Sequence, residues 1–301
     1  MLFGKMVTVM QQTFNDPRGK TAGEIDRMLA QSELGQEQEV IPASTKKAAV
    51  IEIFGPTIQG EGPQAGAKTM FVRFGGCDYR CAKCDSPHAV QPLAIKQHAK
   101  RMTPEEIYNQ LLPVMEETGT NWVTLSGGNP CMWDLTELIF LLHSKLKYVA
   151  VETQGTLAPK WLNDCDLVVI SPKGPGMGEK FDEKVFEAFL SHIEPPTLTA
   201  LKVVLFSQMD IEFALYVGQI ASASTGVVHY GMRFFSLGNP YPPVLNDQME
   251  LTDVVPIGGL IPTLLNEYKQ LLEDVVNDRR ITDWRFIPQL HVLAWGNEIG
   301  R

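Results

Sequence analysis

Residues 69–86 read TMFVRFGGCDYRCAKCDS, and the order of residue types in them decides how the chain folds. Thr69–Phe74 is a nearly continuous apolar run of strand-forming residues, broken only by Arg73. Such a run predicts a strand buried on both faces, as in a parallel sheet. Two glycines end it, and Cys77, Cys81 and Cys84 follow at C-x3-C-x2-C spacing. Chemistry-bearing residues therefore begin where the strand stops.

The same order recurs along the chain. Strands are predicted at 48–54, 121–125, 148–152, 166–170, 201–206, 232–237 and 284–287, in addition to 69–74. Helices are predicted between them, near 103–118, 133–146, 181–193, 208–222 and 261–279. Thr103, Pro104 and Glu106 supply the cap, first residue and capping-box partner of the first of these. SGGNP follows the strand at 121–125, ETQGT ends 148–152, SPK ends 166–170, SLGNP ends 232–237 and PQLH follows 284–287. Glycines and polar groups thus gather at carboxyl ends of strands, which in a β/α barrel form the catalytic mouth. About six such units precede the last strand, fewer than the eight of a closed barrel. The expected fold is α/β, an incomplete TIM-type β/α barrel with about six core parallel strands.

Composition bounds the function. The chain has 301 residues, of which 44% are hydrophobic and 20% charged, enough to bury a core without disulfides. Its formal net charge is -9, and no basic stripe interrupts it, which argues against a polynucleotide substrate. The first twenty residues do not read as a secretory signal, and no apolar run of about eighteen residues suggests a membrane span. The expectation is a soluble, cytoplasmic catalytic domain over 47–301. Residues 1–46 form an extension of unassigned role, with a helix near Thr21–Leu34 and a linker from Gly35 to Lys47.

Five cysteines, three of them within eight residues, suit a metal site better than an even-numbered disulfide framework. Three closely spaced thiolates can hold three corners of a [4Fe–4S] cluster and leave one iron open to a small ligand. A structural zinc site would need four ligands and a closed shell. Cys131 and Cys165 have no CxxC-like partner, although Asp85 or His88 offers a fourth donor. The neighbouring loops suggest ligand contacts. Gly127 and Gly128 leave room for close backbone approach, and Ser171-Pro172-Lys173 offers polar groups with a cation. Gln59 and Glu61 pair an amide with a carboxylate, a set suited to a guanine-like ring edge. Arg73, if buried, requires an anion, which a substrate carboxylate would supply.

The triad resembles that of the radical S-adenosylmethionine (SAM) superfamily, whose pattern often has an aromatic residue where this chain has Lys83. Together EIFGPTIQGEG (52–62), FVRFGGCDYRCAKCDS (71–86), SGGNP (126–130), ETQGT (152–156), ISPK (170–173), LKVV (201–204) and PQLHVLAWGN (288–297) resemble the 7-carboxy-7-deazaguanine synthase family. The resemblance implies a cluster on Cys77, Cys81 and Cys84 and Mg2+ on Ser86, although Ser86 before Pro87 would also shape a turn. It implies a pterin site lined by Ile58, Gln59, Gly60, Glu61, Arg73, Ser126 and His291. SAM would lie against Gly127, Gly128, Asn129, Glu152, Ser171, Pro172 and Lys173. It further implies conversion of 6-carboxy-5,6,7,8-tetrahydropterin to 7-carboxy-7-deazaguanine, an electron donor such as flavodoxin or ferredoxin, and a homodimer. Some relatives end just after the histidine that His291 matches; here ten residues follow, so Arg301 is not expected in the pocket. Two rival readings are a radical SAM activator of glycyl-radical enzymes and a non-catalytic zinc module. The first would not require GPTIQGEG or PQLH.

Overall fold

The computed structural model describes residues 46–224, 228, 231–298 and 300, so the helix expected near Thr21–Leu34 lies outside the described residues. Nine strands make one sheet: β1 (Ala48–Ile58), β2 (Lys68–Phe74), β3 (Lys100–Met102), β4 (Trp122–Gly127), β5 (Tyr148–Thr153), β6 (Leu167–Ile170), β7 (Leu198–Leu205), β8 (Arg233–Leu237) and β11 (Trp284–Pro288). A two-stranded hairpin, β9 (Val244–Leu245) with β10 (Leu251–Thr252), lies apart from it. The helices are α1 (Pro92–His98), α2 (Pro104–Thr118), α3 (Thr136–His143), α4 (Glu183–Ser191), α5 (Gln208–Ala223), α6 (Leu260–Asn277) and α7 (Leu290–Trp295).

The sheet order is β11-β8-β7-β6-β5-β4-β2-β1-β3. From β11 through β2 every neighbouring pair is parallel, giving seven parallel strands against an expected core of about six. The order does not close on itself, so the barrel is incomplete, as expected. β1 departs from the expected parallel pairing: it runs antiparallel to both β2 and β3. Residues 59–67, which join β1 to β2, are too short for a parallel crossover of about a dozen residues. The chain returns alongside itself instead and brings Gln59–Glu61 to the mouth. Strand β3, helix α1, helix α7 and the β9–β10 hairpin were not anticipated; all are short, and length is what pattern reading depends on.

Helix α2 starts as read. Thr103 Oγ1 accepts from the Glu106 amide at 3.2 Å and the Glu106 carboxylate accepts from the Thr103 amide at 2.7 Å. Gly119 ends the helix in the left-handed region at φ 64°.

Alternation along the strands sorts the two faces of the sheet. Val72, Phe74, Val123, Leu125, Val151, Ile170, Leu201 and Phe235 pack under the helices together with Ile107, Leu111, Leu138 and Phe186. The intervening residues face the other way, and Ala150, Leu167 and Val169 make a separate small apolar cluster there. Two residues further toward the carboxyl end, that same face carries Arg73, Ser126, Glu152, Ser171 and Lys202, all lining one cavity. The period of two thus carries one face from apolar floor to polar mouth.

Candidate active site

The cavity at the mouth has a volume of ≈ 220 Å³ and two chemically different ends. Cys77, Cys81 and Cys84 line one of them. Burial pushes all three thiols upward, Cys81 and Cys84 to about 12, so without a cationic partner they are held neutral. Lys173 lies near enough to offset part of this at Cys77 and Cys81. A cluster of ferric and ferrous ions supplies the charge that such thiolates need. Among the described residues, no three His, Cys, Asp or Glu side chains converge on one metal-ion position. Three thiols on one loop suit three corners of a multi-iron group, whereas a closed zinc shell takes four ligands.

Behind Cys77 stands a polar web. Asp78 accepts from Asn129 Nδ2 at 2.9 Å, from Thr156 Oγ1 at 2.5 Å and from Gln154 Nε2. The Gln154 amide also donates to Cys77 Sγ at 3.6 Å, and the Tyr79 amide donates to the same sulfur at 3.4 Å. Gly127 and Gly128 lock the next loop against this one. A Cβ on Gly127 would lie 2.2 Å from the Phe74 carbonyl, and one on Gly128 would lie 2.0 Å from the Gly76 carbonyl. The amides of Gly128 and Asn129 donate to those two carbonyls at 2.9 and 2.7 Å. Both glycines also line the cavity, so one pair of missing side chains serves the loop contact and the opening toward a ligand.

The other end is built on a buried ion triad. Lys202 Nζ donates to Glu61 Oε2 at 2.5 Å and to Glu152 Oε1 at 3.2 Å. Glu61 Oε1 accepts from Ser236 Oγ at 2.5 Å and from Gln289 Nε2 at 2.9 Å. Glu152 accepts from Gln59 Nε2 at 3.3 Å and from Ser126 Oγ at 3.4 Å. Burial alone would raise the Glu61 carboxyl, but Lys202 and His291 outweigh it and hold it well below the ordinary value. Burial would likewise lower Lys202, yet Glu152 and Glu61 carry it upward.

Arg73 stands between the two ends. Its need for an anion is met within the protein: Nε donates to Glu52 Oε1 at 2.6 Å, and an outer nitrogen donates to Ser86 Oγ at 2.6 Å. Burial raises the Glu52 carboxyl, and its hydrogen bond to His88 and the charge of Arg73 reverse that. Glu52 thus supplies an anion to Arg73, so the burial of Arg73 does not by itself call for a substrate carboxylate. Arg73 still lines the cavity. Ser86 also donates to Asp85 Oδ1 at 3.0 Å.

Of the residues singled out in the sequence, the three cysteines, Ile58, Gln59, Gly60, Glu61, Arg73, Ser86, Ser126, Gly127, Gly128, Glu152, Ser171, Lys173 and His291 all line this cavity. Asn129 and Pro172 are not part of its lining; Asn129 is fully buried in the Asp78 web. Glu152, expected beside SAM, is bonded to Gln59, Ser126 and Lys202 at the carboxylate end. Lys83, which departs from the aromatic pattern, places its ammonium 4.0 Å from the Phe206 ring centroid, so this wall takes its aromatic group from the end of β7. Sequence reasoning gave no role to Glu52, Lys202, Ser236 or Gln289. Lys202 had a visible signal, since a lone lysine inside the apolar run LTALKVVL demands a buried counter-charge.

Residues 71–171 match the family described as the Radical SAM superfamily. An incomplete parallel barrel with an open-cornered thiol triad at its mouth is that class of protein. The chain is 37% identical over 255 residues to a 7-carboxy-7-deazaguanine synthase of Bacillus cereus, covering 84% of this chain and 99% of the relative. Against the enzyme of that name from Bacillus subtilis it is 38% identical over 259 residues, covering 85% and 99%. The chain belongs to the 7-carboxy-7-deazaguanine synthase family. A crystal structure titled QueE from Escherichia coli shares the fold at TM-score 0.56 and 21% identity, covering 81% of this chain and 95% of that one. Among the described residues, no helix is long and apolar enough to cross a membrane.

Proposed function

We propose that this chain is a radical SAM lyase that converts 6-carboxy-5,6,7,8-tetrahydropterin to 7-carboxy-7-deazaguanine with loss of ammonia. The observation that carries the reading is a single cavity with thiols at one end and the Gln59–Glu61–Glu152 set at the other. The cluster and SAM, when bound, would supply the radical chemistry needed to abstract hydrogen from the ring carbon bearing the carboxylate. Cys77, Cys81 and Cys84 would hold the cluster, while Ser171, Lys173 and the Gly127–Gly128 backbone would hold SAM. Glu61 and Glu152 offer acceptors, and Gln59 offers an amide, to the pyrimidine edge of the pterin. Gly60 and His291 close one wall: a Cβ at Gly60 would lie 2.0 Å from His291 Nδ1, so the ring lies directly on the backbone. Enclosure by these walls limits water and fixes which hydrogen faces the radical source.

Mg2+ at Ser86 is also proposed. The hydroxyl and the Asp85 carboxylate 3.0 Å away are hard oxygen donors of the kind Mg2+ takes, with water and substrate filling the other positions. Arg73 donates to the same hydroxyl and would have to yield it. Reduction requires an outside electron donor, for which a flavodoxin or ferredoxin is suited, and the family resemblance supports a homodimer. A cavity of this size suits a small ring better than the loop of a protein substrate, which disfavours the glycyl-radical-activator reading.

The test is anaerobic reconstitution with iron and sulfide, followed by incubation with SAM, a reductant, Mg2+ and the carboxytetrahydropterin. A deazapurine chromophore is expected. Cleavage of SAM without that product would overturn the substrate assignment, and a colourless protein retaining stoichiometric zinc would overturn the cluster.

A further inference from the structure

Lys202 is an unusual choice for its position. It lies on the face of β7 that is apolar two residues earlier, beside Ala150, Leu167 and Val169, and it is 4% exposed. Its stem runs beneath the turn at Gly62, whose Cβ would lie 3.7 Å from Lys202 Cδ. A buried ammonium is costly unless every donor finds an acceptor. Here it bridges carboxylates delivered by two distant segments, Glu61 after β1 and Glu152 at the end of β5.

The remaining acceptor capacity then follows from counting. A carboxylate has about four acceptor sites. Lys202, Ser236 and Gln289 fill three on Glu61, and Lys202, Gln59 and Ser126 bond Glu152. Both carboxylates line the cavity, and each offers its full set of acceptors only while it is ionised. Two carboxylates held to one nitrogen would otherwise repel and share a proton. A protonated carboxyl would turn one acceptor into a donor.

We propose that Lys202 is the positioning residue of the substrate end, fixing Glu61 and Glu152 as adjacent ionised acceptors so that the pocket selects a ring edge donating N–H from neighbouring positions. This rests on the reading that the carboxylate end receives the pterin. Other groups face the pair from every packed element: His291 and Gln289 beyond β11, Ser236 on β8 and Tyr268 on α6. His291, when charged, lowers Glu61 in the same direction as Lys202.

The experiment measures equilibrium binding of the carboxytetrahydropterin to reconstituted enzyme, anaerobically, from pH 6.5 to 9, in wild type, Lys202→Met and Lys202→Arg. Wild-type affinity is expected to stay flat from the Lys202 side of the site. Lys202→Met is expected to bind at least tenfold more weakly at pH 7 and to recover as pH rises, because the shared proton is then released. Lys202→Arg, which keeps the charge, is expected to restore the flat profile even where absolute affinity falls. Lys202→Met binding with wild-type affinity and a flat profile would overturn the proposal, as would a Lys202→Arg profile that recovers with pH like that of Met. If Lys202→Met does not fold, the comparison of wild type with Lys202→Arg decides by itself. Wild type that binds no pterin at all would instead sink the substrate reading, so the two failures are distinguishable.

Discussion

The two ends of the cavity solve opposite problems. At the carboxylate end, Lys202 offsets one of the two negative charges of Glu61 and Glu152, and Ser236, Gln289, Gln59 and Ser126 donate to the pair. The protein itself supplies a cation and neutral donors at that end. At the thiol end, burial holds three sulfurs protonated, and the web of Asp78, Asn129, Gln154 and Thr156 organises the loop without supplying a compensating cation. One end is preorganised by the protein, and the other depends on its cofactor. The difference teaches that the carboxylate end can be arranged before any metal group is in place.

The largest test of that contrast removes a thiol. Cys84→Ala is expected to abolish the [4Fe–4S] absorbance and SAM cleavage while leaving far-UV circular dichroism unchanged and thermal unfolding of the cluster-free protein within about 1 kcal/mol of wild type. Equal loss of the cluster-free fold would break the comparison, because the thiol end would then be structural.

A smaller effect is expected at the other end. Glu61→Gln leaves Lys202 with one partner, and breaking a buried pair costs roughly 3–5 kcal/mol. Urea unfolding of the cluster-free protein at pH 7 measures it. The pH dependence has a definite sign. Glu61 is held below its ordinary value of 4.5, so its contribution is fully present above that pH and is lost as pH falls through the lowered value. Wild type and Glu61→Gln should therefore converge in stability in acid; a gap that widens there would contradict the ion triad.

The smallest is Gly60→Ala. The added methyl meets His291 Nδ1 at 2.0 Å and the His291 amide at 3.0 Å, so the ring must turn away. A destabilisation of about 1–3 kcal/mol and weaker pterin binding are expected, with cluster content unchanged. Differential scanning calorimetry and iron quantitation separate the two ends, and an Ala variant with altered iron content would show them to be coupled.

Much of this could be read from residue order, for reasons that differ by element. Seven parallel strands were visible because each is an apolar run that ends in glycine or a polar group. The triad was visible because its three thiols lie on one loop. The antiparallel pairing of β1 is a property of the short 59–67 connection, whose length was on the page but was outweighed by the β/α pattern. Glu52 and Glu152 could not be paired with Arg73 and Lys202 from sequence, since the partners lie 21 and 50 positions away and meet only through strand register. Arg73 shows the consequence: its demand for an anion was legible, but the anion that the protein itself supplies was out of sight.

The contact of Gly127 and Gly128 with the carbonyls of Phe74 and Gly76 has a consequence for how such enzymes can be rebuilt. The cluster loop and the loop after β4 are fitted backbone to backbone, with no side chain between them to absorb a change. A chimera that exchanges one loop without the other would bring together surfaces shaped for different neighbours. Crossover points for recombining this chain with a relative therefore belong outside residues 71–130, and the segment between them is inherited as one block.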